Sequence, residues 1–172
     1  KINPKELKYV AVGGGPGSYT GIRVGVVVAK ALAYVAKIPV VSFSSLEGFI
    51  PPHDCSFTAL IDAKISGAYA LFGTRKNGII TYSSPPTARP LDSIEEDLKR
   101  YPTLVTPNSS SLKQKLSKLY PALSLEWIDT PPHPQHLVEI ARQKFSEGQF
   151  SKEGNVNILY LRKTQAEIER GL

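Results

Sequence analysis

The residues best suited to chemistry lie in Gly13-Gly14-Gly15-Pro16-Gly17-Ser18-Tyr19-Thr20-Gly21-Ile22-Arg23-Val24-Gly25, which holds six glycines in thirteen residues. Glycine costs backbone entropy on folding, so such density answers a need for tight turns or close backbone approach. Two phosphate-binding patterns can be tested here. The Walker loop ends in Gly-Lys-Ser/Thr, and no Gly-Lys occurs. The dinucleotide fingerprint needs glycines at relative positions 1, 3 and 6. Counting from Gly13 the sixth residue is Ser18, and from Gly15 it is Thr20. Free N–H groups at the start of the following helix leave non-specific anion contact open.

Other reactive side chains are sparse. The three histidines are His53, His133 and His136. His133-Pro134-Gln135-His136 lacks the His-x-x-x-His spacing of a metallopeptidase-type site, so no metal is expected. Cys55 is the single cysteine; it reads as core at a strand start and excludes a disulfide framework. Asp62 closes a strand, where it can ligate Mg2+ in a kinase-like protein or cap the next turn. No Gly-x-Ser-x-Gly elbow is present.

These residues need elements to hold them. Tyr9 to Val12 reads as a strand and Ile22 to Ala36 as a long apolar helix, with Ser18 as its N-cap. Pro39 to Phe43 returns as a parallel strand, which makes a βαβ unit. In the helix Gly17, Gly21, Gly25, Ala29 and Ala33 recur every four positions and so share one face. Such a ridge admits another backbone closely. Ile22, Val24, Val26, Val27, Val28, Leu32 and Val35 cover most of the rest, and Arg23, Lys30 and Lys37 form a polar stripe. A helix apolar nearly all round needs cover nearly all round. One side suits its own sheet, and the other a second helix of this chain or of a partner. Arg23 and Lys30 break the run too often for a membrane span.

Ser44-Ser45-Leu46-Glu47 offers a capping box and a short helix. Pro51-Pro52-His53-Asp54 marks a boundary, placing one domain at 1–51 and a second at 55–172. In the second, strands at Phe57 to Ile61, Ala68 to Phe72 and Ile79 to Tyr82 form an antiparallel meander, with Asn77-Gly78 as a hairpin turn. A helix near Asp92 to Arg100, a strand Thr103 to Val105, a helix near Ser110 to Leu119, a strand Leu125 to Ile128 and a helix Pro134 to Glu147 follow, with Gly148 as a stop. The tail from Ile158 to Arg162 is extended or packed. A meander followed by alternating helices and strands marks a ribonuclease-H-like half-domain. Two such halves make the actin/hexokinase architecture, so the fold class is α/β with an incomplete N-terminal half.

The chain has 172 residues and a net charge of +6. A basic surface favours nucleic-acid assemblies by long-range attraction, but the basic residues are scattered. No signal peptide stands out. Methionine is absent and the first residues read like mid-domain sequence, so a preceding segment is expected to be missing.

The segment Gly15-Pro16-Gly17-Ser18-Tyr19-Thr20-Gly21-Ile22-Arg23-Val24-Gly25 closely resembles the Gly-Pro-Gly-Ser-Phe-Thr-Gly-Leu-Arg-hydrophobic-Gly signature of the TsaB (YeaZ) family. Ser44 to Glu47, Asp62-Ala63-Lys64 with Tyr69, and Tyr160-Leu161-Arg162 resemble later family segments in order. Gly67, Ala68 and Ile158 depart from it. The resemblance implies a cytoplasmic subunit without its own active site. Such a subunit pairs with TsaD, the transferase that adds threonylcarbamoyl to the adenosine beside the anticodon of tRNA, and a TsaE-like ATPase joins the pair. It implies no cofactor, no membrane, only indirect contact with tRNA, and self-association as a homodimer through the same helix surface. On that reading Gly17, Gly21, Gly25, Ala29 and Ala33, with Val28 and Leu32, form the partner interface. Gly15, Pro16, Gly17, Ser18, Tyr19, Thr20, Gly21 and Arg23 form the family loop, and Asp62 is a vestigial-site candidate. Two alternatives stand beside it. One is a nucleotide-binding actin-like kinase or ATPase relative, whose phosphate hairpin would precede this chain. The other is a glycoprotease-like metallopeptidase.

Overall fold

The computed structural model describes residues 6–64, 67–152, 156 and 158. They divide into two compact units. The first holds residues 6–48, 133–152, 156 and 158, and the second holds 49–64 and 67–132.

The first unit is the βαβ motif expected from the sequence. β1 (Val10–Gly13) and β2 (Val40–Phe43) pair in parallel, Val10 opposite Val40, and α1 (Tyr19–Ala36) crosses between them. Ser18 caps α1, its Oγ accepting from the Gly21 N–H at 3.3 Å. Lys37 ends it in the left-handed conformation at φ 55°. Val26, Ala29 and Ala33 of α1 are buried in a cluster with Val40, and Val10, Val12 and Ile38 pack against it. The capping box forms as read. Glu47 Oε2 accepts from the Ser44 N–H at 2.7 Å, Ser44 Oγ accepts from Leu46 N–H at 3.2 Å, and a 3-10 turn runs Ser45–Gly48.

Here one boundary changes. The sequence reading put everything from 55 to 172 in one domain, but the last helix belongs to the first unit. This helix, named α4 below (Pro134–Ser146), packs on β2. Its Phe145 stacks on Tyr9 with ring centroids 4.6 Å apart, and Lys144 Nζ lies 3.5 Å from Glu47. The His133 N–H donates to the Gly48 carbonyl at 2.7 Å, tying the chain's exit from this unit to its return. Val156 is buried and Ile158 half-buried against the α1 cluster. Tyr160-Leu161-Arg162 lie outside the described residues.

The second unit is one sheet of β3 (Cys55–Asp62), β4 (Gly67–Lys76), β5 (Ile79–Tyr82), β6 (Thr87–Pro90), β7 (Thr103–Thr106) and β8 (Glu126–Asp129). Its order is β5-β4-β3-β7-β8, with β6 also paired to β4. β3, β4 and β5 run antiparallel, whereas β7 and β8 are parallel to β3 and to each other. This is the ribonuclease-H-like arrangement. Asn77 at φ 52° and Gly78 at φ 78° make the tight turn between β4 and β5. Gly73 serves close approach: a Cβ there would lie 2.9 Å from Phe57 Cζ and 3.0 Å from the Thr81 carbonyl oxygen. α2 (Glu95–Arg100), preceded by a 3-10 turn at Leu91–Ser93, and α3 (Ser109–Leu119) cover one face. Leu91, Ile94, Leu98, Leu112 and Leu116 bury there against Leu60, Phe72 and Leu104. The helix expected over Asp92 to Arg100 is thus split into two pieces, and β6 is a strand the sequence reading left unassigned.

Candidate interaction surface

The glycine loop turns its polar backbone inward. The Gly14 N–H donates to Phe43 O at 2.8 Å, and Gly15 O accepts from the Ser45 N–H at 2.8 Å. Gly14, Gly15 and Pro16 are buried, and Gly15 adopts φ 103°, a conformation that favours glycine. The loop fastens β1 to the end of β2 and the turn beyond it. The Gly14 N–H is therefore engaged by the chain itself rather than held open for an anion.

α1 has two unlike faces. Ala29 and Ala33, each 4% exposed, lie against the unit's own strands with Val26. A Cβ on Gly25 would meet Val12 Cγ2 at 3.9 Å. The small-residue ridge is therefore an internal packing face over Gly25, Ala29 and Ala33. That corrects the expectation that these residues meet a partner: small side chains let the helix sit close on its own sheet. Gly17 and Gly21, at the start of the ridge, are exposed. The outward face carries the bulk instead. Val24, Val27, Val28, Leu32 and Val35 are between 52% and 82% exposed, and Tyr34 is 87% exposed. Val28 and Leu32 are the two expected interface residues that the structure places there. Isolated exposed apolar residues are ordinary, but a contiguous helical stripe of them marks an interaction site.

α1 is also the one described helix long and apolar enough to cross a membrane, with 18 residues. Its length of about 27 Å fits a bilayer core. Against that use, Arg23 and Lys30 lie within it, and β1 and β2 pack along its inner face.

In the second unit Asp62 sits at the carboxyl end of β3, with a side chain 9% exposed. Its carboxylate accepts from Lys115 Nζ at 2.7 and 2.8 Å, from Ser111 Oγ at 2.5 Å and from the Lys64 N–H at 2.8 Å. Burial pushes the carboxyl pKa up, but these hydrogen bonds and the Lys115 charge outweigh it and hold the group below the ordinary carboxylate range. Asn108, whose Oδ1 accepts from the Asp62 N–H at 3.2 Å, and the carboxylate's partners Ser111 and Lys115 are not among the residues the sequence singles out. A lysine one turn and a half into a helix that follows the neighbouring parallel strand is the signal that points to them.

The comparisons with known proteins point to TsaD-like and TsaB-like sequences. A family model for TsaD, tRNA N6-adenosine threonylcarbamoyltransferase, matches residues 1–82. The tRNA threonylcarbamoyladenosine biosynthesis protein TsaB of Bacillus subtilis is 33% identical over 118 residues, 66% of this chain and 52% of that protein. TsaB of Buchnera aphidicola from Acyrthosiphon pisum is 28% identical over 175 residues, 93% of this chain and 76% of that one. This chain is related to the TsaB (YeaZ) family. It spans about half the length of the Bacillus relative. YeaZ from Pseudomonas aeruginosa superposes with a TM-score of 0.75 at 18% identity, covering 93% of this chain and 76% of that one. A second Pseudomonas aeruginosa structure, an uncharacterized protein with similarity to peptidase YEAZ, gives 0.76 at 19%, covering 94% and 76%. These likenesses bear on the fold, and they match the actin-type α/β class expected from the sequence.

The TsaB-type signature therefore falls on the β1–α1 junction. Gly15 and Pro16 are buried in the turn, Ser18 caps the helix, and the Arg23 guanidinium lies 4.0 Å over the exposed Tyr19 ring. Thr20 is exposed in the first turn. The histidines have structural surroundings. His133 caps α4, its Nδ1 accepting from the His136 N–H at 3.3 Å. His136 is half-buried 3.6 Å from Glu139, and burial lowers its pKa. His53 lies 3.4 Å from Glu126. Burial raises the pKa of the Cys55 thiol, which suits a packed rather than a reactive cysteine.

Proposed function

We propose that this chain acts as a non-catalytic subunit in forming threonylcarbamoyladenosine in tRNA, pairing with a TsaD-like transferase through the outer face of α1, with a TsaE-like ATPase joining the pair. The observation that carries the reading is the unpartnered stripe Val24, Val27, Val28, Leu32 and Val35 on a helix whose other face is already packed. Fully burying one such side chain is worth about 1.5–3 kcal/mol, so a stripe of five is a substantial driving force for association. The similarity to TsaB proteins of tRNA threonylcarbamoyladenosine biosynthesis suggests the pathway. The Asp62–Lys115 pair supports a role without catalysis, because the carboxylate best placed for a metal is already neutralised.

The test is threonylcarbamoylation of tRNA by TsaD, TsaE and the activated threonylcarbamoyl donor, with and without the full-length protein. Turnover that depends on it, together with co-elution with TsaD, supports the proposal. Independence and no co-elution overturn it. Self-association through the same face predicts that TsaD and a second copy compete.

A further inference from the structure

On the second unit a groove of about 270 Å³ opens between α3 and the segment leading into β8. Leu116, Leu123, Leu125 and Tyr120 form its apolar floor, packed on the core cluster. Trp127 is half-buried at one wall, and Lys113 Nζ stands 5.5 Å from its ring centroid. This volume falls just below the usual span of small-molecule sites, about 300–1,000 Å³, and suits one planar ring system. The charge at the rim is positive. α3 carries Lys113, Lys115 and Lys118 and no acidic residue; Lys115 is committed to Asp62, and Lys113 has no carboxylate partner among the described residues. Asp92 and Glu95 lie near enough to Tyr120 for their charges to act on it, and Glu95 is paired with Lys99 at 2.9 Å.

We propose that this groove binds an unpaired nucleotide of a single-stranded nucleic acid, with the base stacked on Trp127 and a phosphate on Lys113. An aromatic face tolerates any base, and an adjacent ammonium supplies the salt-dependent part of binding. Lys113 already rests on the ring by a cation–π contact and is free to swing toward a phosphate as a base takes its place. The +6 net charge draws a polyanion to the chain. This inference is independent of pairing through α1, which lies on the other unit.

Trp127 is the sole tryptophan of the chain, so indole emission reads this groove alone. The experiment titrates the full chain with single-stranded oligouridylate and oligoadenylate of about eight nucleotides, at low and at moderate salt, and follows emission and the anisotropy of labelled strands. Saturable quenching that weakens as salt rises is expected. Lys113→Gln should lower the salt slope by about one, and Trp127→Leu should weaken anisotropy-detected binding about tenfold, both with unchanged circular dichroism. Three results overturn the proposal: binding without a change in emission, a salt slope that Lys113→Gln leaves unchanged, or no response up to millimolar strand. Quenching by an acidic, aromatic peptide but by neither oligonucleotide would reassign the groove to a protein partner.

Discussion

Lys115 Nζ lies 2.7 Å from one carboxylate oxygen of Asp62 and 2.8 Å from the other, joining the end of β3 to the middle of α3. Removing the ammonium strands a carboxylate whose side chain is 9% exposed. Lys115→Met is expected to cost about 1–3 kcal/mol in urea unfolding. The pH dependence has a definite sign. The folded-state pKa of Asp62 is depressed, so the pair contributes stability above the unfolded-state value, about 3.9. That contribution is lost as pH falls through the folded-state value. The gap in melting temperature between the native chain and Asp62→Asn should therefore be widest near neutrality and close below about pH 4. A gap that does not vary with pH would remove the ion pair from the account.

The two faces of α1 should respond oppositely to substitution. Leu32→Lys or Val28→Glu on the outer face should leave stability within about 0.5 kcal/mol while abolishing co-elution with a TsaD-like partner. Ala33→Leu, at a position 4% exposed, should overpack the first unit and cost about 1–3 kcal/mol with no partner present. Circular dichroism and size-exclusion chromatography on the same variants separate the two effects. Equal partner loss from both, with both folds intact, would return the ridge to the interface.

Gly73 has no room for a methyl group, since a Cβ there would lie 2.9 Å from Phe57 Cζ. Gly73→Ala should destabilise the second unit by about 1–3 kcal/mol. Adding Phe57→Leu should recover part of that loss, because the ring is what the methyl meets. A double-mutant cycle that comes out additive would contradict this contact.

Glu47 accepts from the Ser44 N–H at 2.7 Å and lies 3.5 Å from Lys144. Glu47→Ala should cost about 1 kcal/mol. Glu47→Gln keeps the capping hydrogen bond and removes the charge, so it should retain most of that. Thermal melts of the two variants measure the split.

The readable parts of this fold were the local ones. Ser18 before an apolar helix, Ser44 three residues ahead of Glu47, and Asn77-Gly78 between two strands each carry their instruction within a few residues, and each formed as read. The spacing of Gly25, Ala29 and Ala33 showed that one face of α1 packs closely. Periodicity fixes which residues share a face, not whether that face meets the chain's own sheet or another protein. The return of α4 to the first unit was not legible either. Its apolar stripe would suit either sheet, and the choice is made by distant contacts such as Phe145 on Tyr9. β6 escaped because Thr87-Ala88-Arg89-Pro90 is short, carries a proline and lacks alternation; it is held by register with Gly67 to Ala70.

The link between Gly48 and His133 bears on synthesis. A ribosome delivers β1, α1 and β2 before the second sheet, but α4, the helix that completes their unit, emerges only after it. Domains generally fold as units as they leave the ribosome, and the second unit runs along the chain almost without interruption. It is therefore the part able to finish first. β1 and β2 can cover the inner face of α1 at once, but the side of their unit on which Phe145 stacks on Tyr9 stays open until α4 arrives. That interval is when the nascent chain is most exposed to aggregation and most in need of a chaperone.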